Sequence, residues 1–290
     1  MNGILLIDKP SGWTSSDVVA KLRGILRERR IGHSGTLDPM ATGLLVVFIG
    51  RATRAVEFAE SHSKRYLAGL RLGLSTDTQD ISGRILSEQP AAISEAMLKA
   101  VLQDFKGEIS QVPPMYSAIK INGQKLYEIA RKGGSVERKA RQITIHDLQL
   151  VGREGEDFLL DISCSKGTYV RTLCHDIGET LGCGGCMSSL HRVSAGEFSI
   201  KNAYSLDQVQ AAANTGDAEK LLLPLDTLFS GYPAVLVSAI GERSIKNGGG
   251  AYAPGEAEGF CRIYSQAGEF LALGCAAKGE IKTVKSFFEV

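Results

Sequence analysis

The sequence has no long hydrophobic run. Its longest apolar stretch, Leu44 to Ile49, is far short of the roughly 18 residues that a membrane-crossing helix needs. The N-terminus lacks a charged segment followed by an apolar core, so no signal peptide is expected, and the protein is read as cytoplasmic with no membrane partner. Phosphate-binding loops are missing too: no G-x-x-x-x-G-K-[ST] occurs, and no G-x-G-x-x-G opens a helix after a strand. Nucleotide-cofactor chemistry is therefore unsupported. Nor is there an excess of one charge, since the net charge is only +1 and the whole chain does not announce a polyanionic partner.

Six cysteines are present, but a chain of 290 residues without a secretory signal needs no disulfide framework. Cys183 and Cys186 form a C-x-x-C, with Cys174, His175 and His191 as the nearest further ligands for zinc. No second C-x-x-C or H-x-x-x-H completes the set. The intervening Gly-Gly suits a turn that ends a helix at Gly182, so no metal is expected.

What charge there is clusters. Residues 21–30 carry five basic side chains and one acid, and residues 131–141 repeat that ratio. Such patches can neutralise phosphates while the total stays balanced, or serve as ordinary solvated faces.

The opening reads as a short strand, a Pro-Ser-Gly turn and a helix with N-cap candidates Thr14, Ser15, Ser16 and Asp17. Val18, Val19, Leu22, Ile25 and Leu26 form its buried face. A polar loop, Gly32 to Gly43, leads into Leu44–Ile49, which fits a strand buried on both faces. Tyr66, Ala68, Leu70 and Leu72 alternate on one side of a further strand. Ser94 caps a helix with Met97, Leu98, Val101, Leu102 and Phe105 as its core stripe. Residues 143–150 and 158–164 read as strands joined by a turn at 152–157, and a helix follows Tyr169 with Val170, Leu173, Cys174, Ile177 and Leu181 inward. Without βαβ alternation, the fold class is α+β, a mixed or antiparallel sheet flanked by helices. From about residue 230 the pattern changes to strand-like pieces between glycines, at 235–237, 260–264, 269–274 and 281–288, as in a small β-barrel-like module. The expected division is 1–229 and 230–290.

The densest signal is GHSGTLDPMATGLL, residues 32–45. Its glycines permit close approach to a ligand, and Pro39 stiffens the chain directly after Asp38. An acid on a rigid turn ahead of a buried strand can serve as nucleophile or base. Taken alone, an Asp before Pro is more often a turn residue, and His33 a structural hydrogen-bonder.

This loop resembles the G-H-x-G-x-L-D-P-x-A-x-G-x-L motif of the TruB family of tRNA pseudouridine synthases. Four other blocks are similar to family segments, in the family's order. They are Asp8 to Ser15 (K-P-x-G-x-T-S), Lys64 to Thr78 around Tyr66, Pro113 to Lys120 (P-P-x-Y-S-A-x-K) and Gly167 to Leu173 (G-T-Y-I-R-[ST]-L). The tail resembles a PUA-type RNA-binding module in position and strand pattern only.

The resemblance implies a pseudouridine synthase fold and conversion of uridine 55 in the T-loop of tRNA to pseudouridine, without cofactor. It implies Asp38 as nucleophile, at either C6 of the uracil or C1′ of the ribose, with Arg171 pairing its carboxylate. It implies Tyr66 stacked on the uracil with its hydroxyl available for proton transfer, Tyr169 and Leu190 lining the pocket, and His33 filling space in the unstacked T-loop. Lys9 and Pro10 are implied to buttress the catalytic loop. The T-arm stem-loop of tRNA is the expected partner, and no obligate protein partner is inferred. His191 departs from the family, where an arginine commonly follows Leu190. Two other readings stay open: a non-catalytic RNA-binding or tRNA-folding protein, and a metal-dependent hydrolase built on Cys183 and Cys186.

Overall fold

The computed structural model describes residues 1–60, 62–121, 123–252 and 258–288. Strand β1 (Gly3–Lys9) leads to helix α1 (Ser15–Leu26), whose first turn is closed by a reciprocal capping box between Thr14 and Asp17. Then come β2 (Ile31–Ser34), β3 (Thr42–Ile49), α2 (Val56–Glu60) and β4 (Lys64–Leu72). A hairpin of β5 (Leu74–Thr76) and β6 (Ile85–Glu88) precedes α3 (Glu95–Asp104) and β7 (Gly107–Gln111). The short β8 (Lys120–Ile121), β9 (Gln124–Lys125) and α4 (Leu126–Ala130) lead to the long hairpin β10 (Arg141–Glu154) and β11 (Asp157–Cys164). Helix α5 (Val170–Thr180), β12 (Gly185–Ala195), β13 (Phe198–Ser199) and α6 (Leu206–Thr215) complete the larger body.

These strands form one nine-stranded sheet in the order β1-β3-β12-β4-β11-β10-β7, with β2 on β3 and β13 on β12. Only β12 and β3 run parallel, over His191–Thr42 and Arg192–Gly43; the other pairs are antiparallel. That is the mixed, mainly antiparallel sheet expected. Residues 44–49 are at most 1% exposed, because α1 and α6 cover one side of β1 and β3 while Ala52, Phe198 and Phe229 cover the other. Helices α3 and α5 pack on the β4, β10 and β11 end through Leu98, Leu102, Leu173 and Ile177.

The tail is β-rich. Strands β14 (Ala234–Leu236), β15 (Ala251–Tyr252), β16 (Gly259–Tyr264), β17 (Phe270–Ala277) and β18 (Glu280–Ser286) form a sheet ordered β14-β16-β17-β18-β15. It does not hang free. Phe270, Leu273 and Phe287 share an apolar cluster with Phe58, Leu228 and Phe229 of the larger body.

Several expectations need correcting. The loop from Gly32 is strand up to Ser34, because β2 adds an edge to β3. Met97 is 51% exposed, so the buried stripe of α3 is narrower than its apolar residues suggest. Leu181 caps α5 and is only half-buried. The turn between β10 and β11 shrinks to Gly155 and Glu156. Helix α7 (Ala239–Lys246), capped by Ser238, stands within the tail, where only strands were expected.

Candidate active site

The loop between β2 and β3 carries Asp38, and its Leu37 and Ala41 share a core cluster with Ala68 of β4 and Leu190 of β12. Lys9 holds this loop from below. Its Nζ, on a fully buried side chain, donates to the carbonyls of Pro10 (2.9 Å), Trp13 (2.6 Å) and Pro39 (3.2 Å). Three hydrogen bonds to one ammonium tie the turn after β1 to the peptide next to Asp38, the buttress implied for Lys9. A second tie comes from Ser15, which accepts from Leu37 N at 2.9 Å.

Arg171 enters from the first turn of α5. Its Nε lies 3.0 Å from Asp38 Oδ2 and its Nη2 donates to Oδ1 at 3.3 Å, a fork on both carboxylate oxygens. The same guanidinium donates to Tyr116 O (3.0 Å), Thr78 O (3.3 Å) and Asp80 Oδ2 (3.4 Å). A cation in the first turn opposes the helix dipole, so α5 does not itself favour this residue there. Two carboxylates and two carbonyls do.

Asp80 is the residue that sequence reasoning missed. Its side chain is 5% exposed and accepts from Thr78 Oγ1 (2.9 Å), Ser82 N (3.0 Å) and the Ser82 hydroxyl. The available signal was hydroxyl residues two positions to either side of an acid, a pattern that favours local side-chain turns.

Burial pushes the Asp38 carboxyl above the usual carboxylate range; Arg171 opposes this, Asp80 adds to it, and Lys9 opposes it. Lys9 is pulled down to about 8 by burial, against the attraction of Asp38. Tyr66 is raised by burial of its hydroxyl, with the Arg192 guanidinium beside it pulling the other way. The site thus holds an acid whose charge depends on one arginine in a poorly hydrated setting.

Tyr66 packs against the cluster that contains Leu37, Ala41 and Leu190, and its hydroxyl feels the charge of Asp38. Leu190 is 8% exposed on β12, paired with Ala68. Tyr169 is the N-cap of α5, its backbone clasped by Gln111 through Tyr169 N→Oε1 (2.8 Å) and Nε2→Tyr169 O (3.1 Å). The structure therefore brings Asp38, Arg171, Tyr66 and Leu190 to one place, with Tyr169 at its rim. His33 stands on β2; its Nδ1 is buried without a hydrogen-bond partner among the described residues, and burial lowers its pKa. His191, where an arginine was looked for, places its Nδ1 2.9 Å from Thr42 Oγ1 on β3.

Cys183 and Cys186 serve packing. A side chain at Gly178 would put its Cβ 2.2 Å from Gly185 N, so α5 and the start of β12 touch backbone to backbone across this turn. Burial raises the Cys174 thiol and pushes Cys186 up to about 11. Among the described residues no group of three or more His, Cys, Asp or Glu side chains is placed to hold a metal ion.

Comparison with known proteins places this arrangement. Residues 23–170 match the TruB family pseudouridylate synthase N-terminal domain, and residues 171–230 the tRNA pseudouridylate synthase B C-terminal domain. A Clostridium kluyveri protein named tRNA pseudouridine synthase B is 40% identical over 99% of this chain and 100% of its own length. One of the same name from Azoarcus is 40% identical over 97% and 93%. Among solved structures, a chain of a Cbf5-Nop10-Gar1 complex superposes with a TM-score of 0.76 at 26% identity, covering 99% of this chain and 85% of that one. A chain of an H/ACA RNP bound to a substrate RNA containing 2′-deoxyuridine gives 0.75 at 25% identity, over 99% and 85%. Domain matches that run from residue 23 to 230, with full-length relatives at 40% identity, show that the chain belongs to the TruB family and is a pseudouridine synthase.

Proposed function

We propose that the protein isomerises uridine 55 in the T-loop of tRNA to pseudouridine, with Asp38 as the nucleophile and no cofactor. The observation that carries this reading is the Asp38–Arg171 fork, a carboxylate held at both oxygens in a setting that would otherwise favour its neutral form. Arg171 keeps Asp38 ionised and aimed, which a nucleophile requires. The name shared by the relatives supports tRNA as the substrate class.

A uridine stacked in a folded loop exposes neither C6 nor C1′ to a side chain, so it must be flipped into a pocket and held there. Tyr66 supplies the stacking face, Leu190 and Tyr169 the walls, and His33 fills space in the opened T-loop. The glycosidic bond breaks, the base turns, and the bond re-forms through C5. Bonds broken equal bonds formed, so no nucleotide energy or redox partner enters.

The basic segments offer the backbone contacts by which a structured RNA arm is recognised. Lys21, Arg27, Arg29 and Arg30 are exposed on and after α1, and Arg131, Lys132, Lys139 and Arg141 ahead of and at the start of β10. Residues 1–229 then form the catalytic domain and 230–290 a PUA-like RNA-binding module, and the enzyme works in the cytoplasm without an obligate protein partner.

The test is to incubate unmodified tRNA with purified protein and map pseudouridine by carbodiimide modification. One adduct at position 55 is expected. Its absence, or adducts only elsewhere, would remove the assigned target.

A further inference from the structure

A second buried cation stands beside the site. Arg192, on β12, is the largest of the fully buried side chains, at 1% exposure. Among the described residues no carboxylate forms an ion pair with it. Its Nε donates to Leu44 O at 2.6 Å and its Nη2 to Gly35 O at 2.9 Å. These two carbonyls flank the loop that presents Asp38, one before it and one after it. Arg192 is also the cross-strand partner of Tyr66 on β4 and of Gly43 on β3. Directly opposed cross-strand residues hold their Cβ atoms about 5 Å apart, so the guanidinium and the phenol share one side of the sheet.

The chain makes room for this arginine. A Cβ on Gly35 would lie 3.1 Å from its Nη1, and a Cβ on Gly43 2.5 Å from its carbonyl oxygen; both glycines have positive φ (71° and 94°). Its charge bears on Lys9, His33 and Lys64 as well as Tyr66, and opposes the protonated form of each of those three basic groups. A cation that repels its basic neighbours and has no acid partner is a poor choice for stability alone, since an apolar side chain of similar volume commonly does as well. What it does provide is reach, from the tyrosine to both ends of the catalytic loop.

We propose that Arg192 is a positioning residue that fixes the Tyr66 hydroxyl relative to the loop carrying Asp38. The inference rests on the reading that Tyr66 and Asp38 act on the uridine, and it assigns Arg192 no contact with the base. A lysine at 192 keeps the charge but cannot span both carbonyls and the phenol.

The test is a double-mutant cycle of Arg192→Lys and Tyr66→Phe, read as single-turnover rate with enzyme in excess over tRNA. Arg192→Lys is expected to slow the wild-type background about 10- to 100-fold with tRNA affinity within about threefold, as a misplaced group would. In the Tyr66→Phe background it should cost about twofold or less, because coupled neighbours do not add. Full additivity would overturn the proposal and leave Arg192 a purely structural residue. Should Tyr66→Phe alone run at the wild-type rate, the catalytic reading of Tyr66 fails instead, so the two failures are distinguishable. Where a variant does not turn over, a comparison without turnover decides. With 15N-arginine labelling, the guanidinium resonances of Arg192 should shift between wild type and Tyr66→Phe, and unchanged resonances would overturn the pairing.

Discussion

Arg171 grips Asp38 at both oxygens, Nε to Oδ2 at 3.0 Å and Nη2 to Oδ1 at 3.3 Å, while its Nη1 reaches Asp80 Oδ2 at 3.4 Å. One guanidinium therefore bridges two carboxylates of different standing. The Asp38 side chain is 35% exposed, whereas that of Asp80 is 5% exposed and is satisfied by Thr78 and Ser82. Asp80 fixes Arg171, and Arg171 fixes and charges Asp38.

Asp80→Asn tests that chain of support. The amide keeps the shape but loosens Arg171, so single-turnover rate should fall about 10- to 100-fold with tRNA affinity nearly unchanged. Loosening Arg171 should also raise the pKa of Asp38, since Arg171 outweighs Asp80 in setting it, and so move the acid limb of the rate profile to higher pH. An unchanged rate would show that Arg171 is held without Asp80.

The pH dependence has two limbs. The proposed mechanism requires ionised Asp38, so its raised pKa should make the rate fall with acid at a higher pH than an ordinary carboxylate would. At the alkaline end Lys9 loses its proton near pH 8 and with it one of three donors to the loop carbonyls, so the rate falls again. The stability signs follow. Between its ordinary value and its raised value, native Asp38 binds more protons than the unfolded chain, so its contribution to stability grows as pH falls through that window. For Lys9 the unfolded chain binds more protons between pH 8 and 10.5, so its contribution grows as pH rises there. Rate against pH for wild type and Lys9→Met checks the assignment. A rate that stays flat above pH 8 in wild type would refute the role given to Lys9.

The tail, proposed above to bind RNA, also covers Phe229 of the larger body. Ending the chain at residue 230 removes Phe270, Leu273 and Phe287 from Phe229, so the thermal midpoint should fall, by about 5–10 °C. Affinity for whole tRNA should weaken and its salt dependence flatten, while the rate at saturating T-arm stem-loop stays within a few-fold. A truncated protein that is folded by circular dichroism yet slower by orders of magnitude at saturation would mean that the tail helps to build the site.

Chelators should leave the rate unchanged, and purified protein should carry far less than one zinc per chain, because among the described residues no group of three or more His, Cys, Asp or Glu side chains is placed to hold a metal. Stoichiometric zinc, with unfolding in chelator, would contradict this.

What could be read in advance was what repeats or what is spelled out. Six apolar residues in a row marked β3, and the run of N-cap candidates Thr14 to Asp17 marked the start of α1 without saying which of them caps it. Strand β12 gave no such sign. Its Ser188, Ser189, His191, Arg192 and Ser194 neither alternate nor read as apolar, because this strand lies inside the sheet, between β3 and β4, and buries an arginine through backbone carbonyls. Asp38 and Arg171, 133 positions apart, were joined in advance only by resemblance, whereas Asp80 belonged to no motif and became visible only once α5 lay across its turn. Helix α7 was missed for a simpler reason: eight residues that include Gly241, with only Ile245 fully buried, carry little periodicity.

The most direct test of Asp38 as nucleophile is release of tritium from tRNA carrying 5-tritiated uridine. Asp38→Asn keeps the volume but replaces the carboxylate by a neutral amide, which can accept only one of the two Arg171 hydrogen bonds and cannot act as nucleophile. The expected result is a single-turnover rate at least about a thousandfold below wild type, with tRNA binding within a few-fold. Tritium release near the wild-type rate from the folded variant would contradict it and remove Asp38 from the chemistry.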